Sequence, residues 1–155
     1  MGIKSDVQAA IATFEKENPK LKGKAYLTSG SRTWQDQLDI ILQPKRAKNY
    51  KNIKARFLAK FSLKELPKKR GDLTKDQLAW WKKAIMAQAG KSPGFPHVGG
   101  KAQDVSVKNL SNDDKKKLSA IMKKAGIKIL FEQVSGSTSN YGVSITKANV
   151  FHCYK

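Results

Sequence analysis

The chain has 155 residues, 39% of them hydrophobic, which suits one domain over residues 1–155 with a real core and makes a second independent domain unexpected. Thirty-one Lys and Arg residues against 12 Asp and Glu give a formal net charge of +19, which attracts the protein to polyanions and anionic cell-surface polymers. The basic residues occur in short scattered groups without zinc-finger spacing or a compact basic arm, so the sequence disfavours nucleic acid as the partner.

The N-terminal sequence contains no uninterrupted apolar segment and no small-residue cleavage site, so it does not predict a Sec signal. No stretch approaches the roughly 20 apolar residues of a membrane span. The single cysteine, Cys153, cannot form an internal disulfide. We therefore expect a soluble protein that is made in the cytoplasm and that needs a route other than a Sec signal to act elsewhere.

The first half of the chain predicts two helices and a short strand. Ser5 and Asp6 can cap a first helix, because apolar residues recur after them at helical spacing. These residues are Val7, Ile11 and Phe14. Residues 24–30 predict a strand that runs into a turn, and residues 32–44 predict a second helix that ends at a proline. Residues 45–74 are basic and poorly periodic, and the sequence places no boundaries there.

The second half predicts two further helices and three strands. Thr74 can cap a helix that Gly90 ends, and Ser111 with Asp114 has the pattern of a capping box for a helix that Gly126 ends. Alternating apolar and polar residues predict the strands, which cover residues 102–107, 127–134 and 141–154, with a loop over 135–140. The expected fold class is α+β, a small antiparallel sheet packed with helices.

One of the two histidines, His97, opens the segment HVGGKAQD, which ends at Asp104. Gly99 and Gly100 argue against a helix across this segment and favour a turn, which lets the two side chains meet. The plain alternative is a loop histidine near an ordinary polar strand residue. The other histidine, His152, favours a site, because it lies in an aromatic strand end rather than in a charged segment.

Two histidine nitrogens and one aspartate oxygen are a normal ligand set for catalytic zinc, with the fourth position open to water. A structural zinc would need four ligands, more often sulfur. Cys153 is the only thiol, and as the strand neighbour of His152 it should point to the opposite face. We expect Cys153 to be a small buried residue and not a ligand.

The sequence resembles the zinc D-alanyl-D-alanine carboxypeptidase and L-alanyl-D-glutamate endopeptidase family in three places. These are the spacing His-x-x-Gly-x-Ala-x-Asp over 97–104, the upstream SGSRTWQDQ over 29–37 and the terminal His152. This family includes many phage endolysins and shares a fold group with the hedgehog N-terminal domain. The similarity runs from residue 29 to the C-terminus. It implies that fold and makes His97, Asp104 and His152 the ligands of Zn²⁺.

The resemblance also assigns residues that contact substrate. Arg32 matches an arginine that faces the substrate, where a guanidinium can stabilise a developing oxyanion or hold a peptide carboxylate. Ser29 and Gln37 match positions that shape the same wall. The alternatives are a solvated first-turn residue for Arg32, a helix cap for Ser29 and a helix-surface amide for Gln37.

The main departure from the family is Asn149, which stands three residues before His152, where the family has a catalytic Glu or Asp. An amide is no general base at neutral pH, and loss of a general base costs roughly 10²- to 10⁴-fold in rate. Three explanations compete. Asn149 is an inactivating substitution, natural or deliberate; another carboxylate such as Glu132 acts instead; or the protein binds without cleaving.

The resemblance therefore implies a monomeric zinc metallopeptidase that hydrolyses peptidoglycan stem peptides containing D-amino acids. It would act at the cell wall or periplasm after release through a holin or delivery by a secretion machine. Replacing Asn149 with Asp or Glu should then restore or raise activity. The alternative is a non-catalytic protein on the same fold that binds peptidoglycan or, less favoured, nucleic acid, and that stays inactive after the replacement.

Overall fold

A computed structural model describes residues 2–91, 94–136 and 138–155. This part of the chain has an α+β fold, which confirms the fold class. Its helices are α1 (Ile3–Glu17), α2 (Trp34–Ile41), α3 (Lys51–Phe61), α4 (Lys75–Ala87) and α5 (Asn112–Lys124). Its strands are β1 (Tyr26–Leu27), β2 (Ala102–Ser106), β3 (Lys128–Ser135), β4 (Thr138–Tyr141) and β5 (Val150–Tyr154). None of the helices in these ranges is both long and apolar enough to cross a bilayer.

The strands form one antiparallel sheet in the order β1-β2-β5-β3-β4. The central strand β5 pairs on one side with β2 and on the other with β3. Its residue His152 lies opposite Asp104 of β2 and opposite Leu130 of β3. Because side chains alternate between the faces of a sheet, this register decides which residues share a face with His152.

The chain divides into two compact units, and the first consists of Met1–Ser31 and Gly100–Lys155. In this unit α1 and α5 pack against each other, and α1 contacts β2 and β5 while α5 contacts β3. The apolar core includes Phe14 of α1, Met122 of α5 and Phe151 of β5, all fully buried. Burial of a side chain of this size contributes about 1.5–3 kcal/mol each, so this packing fixes one face of the sheet.

The second unit, Arg32–Gly99, contains α2, α3 and α4. Its core is aromatic: the rings of Phe57 and Trp81 lie 5.0 Å apart, and Trp80 meets Trp81 edge to face at 5.2 Å. Helix α3 lies in the region where the sequence alone placed no boundaries. The prediction of one domain over residues 1–155 stays a prediction beside this division into two units.

The helix starts were predicted with mixed success. Thr74 and Ser111 cap α4 and α5 as expected, each accepting a hydrogen bond from a backbone N–H of the first turn. The cap at Ser5 and Asp6 is wrong, because α1 already begins at Ile3, which buries its side chain in the core. The second helix is shorter than residues 32–44, because Thr33 forms a capping box that starts it at Trp34, and it ends at Ile41.

The C-terminal strands differ most from expectation. The predicted loop over 135–140 is wrong in part, because β4 covers Thr138–Tyr141 and pairs with β3. Ser137 of that loop lies outside the described residues. The predicted strand over 141–154 is wrong in its first half: Gly142 has φ +77°, which interrupts extended structure, and the strand begins only at Val150.

Candidate metal and catalytic site

His97 lies in a turn that precedes β2. Gly99 and Gly100 have φ values of +85° and +71°, which agrees with the turn expected from the two glycines. The backbone N–H of Arg32 donates to the His97 carbonyl at 2.9 Å, and the N–H of Gly99 donates back to the Arg32 carbonyl at 3.2 Å. The buried His97 is therefore held by a fixed backbone, directly beside Arg32.

Asp104 and His152 face each other across β2 and β5. Asp104 Oδ1 lies 2.8 Å from His152 Nδ1, and His152 is only 2% exposed. Ligand atoms of His97, Asp104 and His152 all lie within 4.8 Å of one another, so the three residues could hold a metal ion. The three residues are far apart in the sequence, and they are the same three that the motif names as candidate ligands.

The backbone of Asp104 is fixed by the segment that contains Ser29. The Asp104 N–H donates to the Ser29 carbonyl at 2.8 Å, and the N–H of Thr28 donates to the Asp104 carbonyl at 3.0 Å. The buried amide of Gln103 donates to the same two carbonyls, at 3.2 and 3.0 Å. A Cβ on Gly30 would lie 2.8 Å from Gln103 Oε1, so this close approach favours glycine. Ser29 therefore contributes its carbonyl to positioning Asp104.

The side chains of Arg32 and Gln37 are hydrogen-bonded to each other. Arg32 Nη1 donates to Gln37 Oε1 at 3.4 Å, and Gln37 is only 2% exposed. The helix-surface interpretation of Gln37 is therefore wrong. Arg32 is likewise not a first-turn helix residue, because it precedes the cap Thr33. The amide of Gln37 instead orients a half-buried guanidinium.

Glu132 of β3 is a buried carboxylate on the sheet face that carries His152. It pairs with Val150 of β5, two residues from His152, and is 3% exposed. Burial raises its pKa, and the negative charge of Asp104 raises it further, while hydrogen bonds from Ser139 and Tyr141 and the nearby His152 oppose the rise. Its Oε1 is buried without a hydrogen-bond partner in the described part of the chain.

Two aromatic rings beside His152 were not predicted as part of the site. The Tyr141 ring meets the imidazole edge to face with the centroids 6.0 Å apart, and the Tyr154 ring lies at the same distance. Tyr154 is two residues from His152 in β5, a strand spacing that could have identified it. Tyr141 belongs to β4, which the sequence assigned only in part, so its place beside His152 had no sequence signal.

Asn149 has a structural role in the fold. Its side-chain Nδ2 donates to the Val134 carbonyl and its Oδ1 accepts from the Val134 N–H, both at 2.8 Å. Its backbone N–H donates to the Glu132 carbonyl at 3.0 Å, and its carbonyl accepts from the Val107 N–H at 2.9 Å. Asn149 thus extends the pairing of β3 beyond the start of β5.

Cys153 is buried, as expected, on the face opposite His152, where it packs with the apolar core. Burial raises the pKa of its thiol to about 12, with a further contribution from Asp104. Its Sγ lies 3.8 Å from Met122 Sδ of α5, within the apolar core. Cys153 is therefore part of the core.

No protein-family model, no curated protein and no solved structure matches this chain. The family resemblance therefore rests on the sequence motifs alone.

Proposed function

We propose that the chain is a zinc-dependent peptidase of bacterial peptidoglycan. The observation that carries the proposal is the group formed by His97, Asp104 and His152, whose ligand atoms lie within 4.8 Å of one another. Two imidazole nitrogens and one carboxylate oxygen are a common three-ligand set for catalytic zinc. When bound, zinc polarises a carbonyl and lowers the pKa of water, which are the two needs of amide hydrolysis.

Arg32 supplies the contact to substrate in this proposal. Its guanidinium is oriented by Gln37, and its backbone is joined to that of His97. A guanidinium held in this way can bind a peptide carboxylate or donate to an oxygen on which negative charge develops. Stem peptides of peptidoglycan offer both groups, including carboxylates beside D-amino acids.

The net charge of +19 supports the cell wall as the place of action. A strongly cationic protein gains encounter rate and residence on anionic wall polymers. In this proposal the chain acts as a monomer at the wall or in the periplasm, after release through a holin or delivery by a secretion machine.

A second candidate function is non-catalytic binding to peptidoglycan. The observation that favours it is Asn149, which occupies the family's carboxylate position and has both side-chain polar atoms hydrogen-bonded to Val134. Binding without cleavage would need the same surface charge and no general base.

Purified protein loaded with zinc and incubated with peptidoglycan separates the two functions. The peptidase proposal expects about one zinc per chain, release of stem-peptide fragments detected by mass spectrometry, and loss of release with a chelator. The Arg32→Gln variant should hold zinc and release far less peptide, while Arg56→Gln is a control at an exposed arginine of α3. Protein that holds zinc, binds peptidoglycan and releases no peptide would establish the binding function instead.

A further inference from the structure

Glu132 is a buried carboxylate near His152, whereas position 149, where the family has its catalytic carboxylate, holds an amide. We propose that Glu132 is the general base of this site, in place of the residue at position 149. This inference rests on the proposed peptidase function. It departs from the family pattern, in which the carboxylate stands three residues before the last histidine.

Both side-chain polar atoms of Asn149 are already hydrogen-bonded within the sheet. Its side chain makes two bonds of 2.8 Å with the backbone of Val134, and its own backbone groups bond to Glu132 and Val107. An aspartate at this position would keep one bond and set a carboxylate against the Val134 carbonyl. The position is therefore built for an amide.

Glu132 has the location that a base requires. It lies opposite Val150, and Leu130 lies opposite His152, so Glu132 and His152 are diagonal neighbours on one face of the sheet. Such neighbours have Cα atoms about 7–8 Å apart, a distance that glutamate and histidine side chains can bridge. The electrostatic influence of Asp104 and His152 on Glu132 agrees with this proximity.

Hydrogen bonds hold the carboxylate of Glu132 in place, but one of its two oxygens makes none with the described residues. Ser139 and Tyr141 hydrogen-bond to it, whereas Oε1 is buried with no hydrogen-bond partner among the described residues. Buried polar atoms nearly always have a partner, so an oxygen of this kind indicates a group that is satisfied by water or substrate. Glu132 is not in the three-residue ligand group, which suits a base and not a ligand.

Glu132 is assigned two proton transfers, the first from water to its carboxylate and the second from its carboxyl group to the leaving nitrogen. Its carboxylate takes one proton from the attacking water as the water oxygen bonds to the scissile carbonyl carbon. It then gives this proton to the amide nitrogen as the C–N bond breaks, so a carboxylic acid and an amine are formed. No oxidant or reductant takes part, and Glu132 returns to its ionised form.

The test compares the zinc-loaded wild type with zinc-loaded Glu132→Gln, using a purified stem peptide of peptidoglycan as the substrate. The variant should lose roughly 10²- to 10⁴-fold in kcat, the usual contribution of a general base, with KM little changed. Isothermal titration with zinc alone should give the same stoichiometry and affinity for both proteins. Formate should restore part of the activity of Glu132→Ala, because a small carboxylate can enter the space left by the side chain.

Two matched variants complete the design. Glu65→Gln removes an exposed carboxylate elsewhere and should leave kcat unchanged. Asn149→Asp should not raise kcat. Full activity of Glu132→Gln, or its loss of zinc binding, would overturn the assignment, the latter by making Glu132 a ligand. Wild-type protein that binds zinc but cleaves nothing would instead overturn the peptidase function, and the base assignment with it.

Discussion

The two faces of the sheet carry opposite chemistry on the same strands. On one face Val105 and Phe151 are fully buried in the apolar core with α1 and α5. On the other face their chain neighbours Asp104 and His152 lie 2.8 Å apart, with the buried carboxylate of Glu132 nearby. A step of one residue along β2 or β5 therefore changes a core position into a candidate ligand position.

This difference shows that the apolar face of the sheet stabilises the fold and that the polar face does not. Burial of apolar side chains stabilises the fold, whereas burial of a carboxylate beside another carboxylate opposes it. Perturbed ionisable groups of this kind are concentrated at functional sites. We therefore expect substitutions on the two faces to separate stability from metal binding.

The largest effect is expected for His152→Ala. Loss of a ligand should weaken zinc binding by more than the roughly 10- to 100-fold that loss of an outer-shell partner costs. Isothermal titration of the chelator-treated protein with zinc measures this. Zinc affinity equal to that of the wild type would show that His152 is not a ligand, and the two faces would then differ only in polarity.

Phe151→Ala makes the converse change on the other face. Truncation of a fully buried phenylalanine should lower the free energy of unfolding by about 3–5 kcal/mol. Urea denaturation measures the loss, and Phe151→Leu offers a milder variant if the alanine protein does not fold. Zinc affinity of the folded variant should change far less than in His152→Ala. If Phe151→Ala loses more zinc affinity than His152→Ala, the two faces of the sheet are not independent.

Asn149→Asp tests whether this position serves the fold. The substitution removes the donor to the Val134 carbonyl, so the free energy of unfolding should fall by about 1–3 kcal/mol. Asn140→Asp, on the exposed strand β4, makes the same change of charge and should stay within about 0.5 kcal/mol of the wild type. If Asn149→Asp and Asn140→Asp are equally stable in urea, the side chain of Asn149 does not stabilise the fold.

The contrast between faces was partly predictable from sequence. The alternation in AQDVSV placed Asp104 and Val105 on opposite faces, and the strand spacing did the same for His152 and Cys153. Local patterns of this kind survive folding because side-chain alternation is fixed by the strand backbone. The helix caps Thr74 and Ser111 were predicted for the same reason, since capping involves only neighbouring residues.

Features that depend on register were not predictable. Glu132 could be named as a candidate base, but its place beside His152 follows from the pairing of β3 with β5. The bonds between Asn149 and Val134 join residues 15 apart, and the sequence contains no signal for them. Strand β4 was assigned in part to a loop because its residues, TSNY, are polar and exposed. Pairing with β3 outweighs their weak intrinsic preference for a strand.

The smallest expected effect is a pH dependence that belongs to Glu132. Its pKa is raised in the fold, chiefly by burial, so its contribution to stability is full below the ordinary glutamate pKa of about 4.3 and is lost as pH rises through the raised value. Glu132→Gln cannot ionise and does not suffer this loss. In chelator-treated protein, urea denaturation should therefore show the variant gaining stability relative to wild type as pH rises from about 4 to 7. Glu65→Gln should follow the wild type, and parallel curves for Glu132→Gln would show that burial does not disfavour its charge.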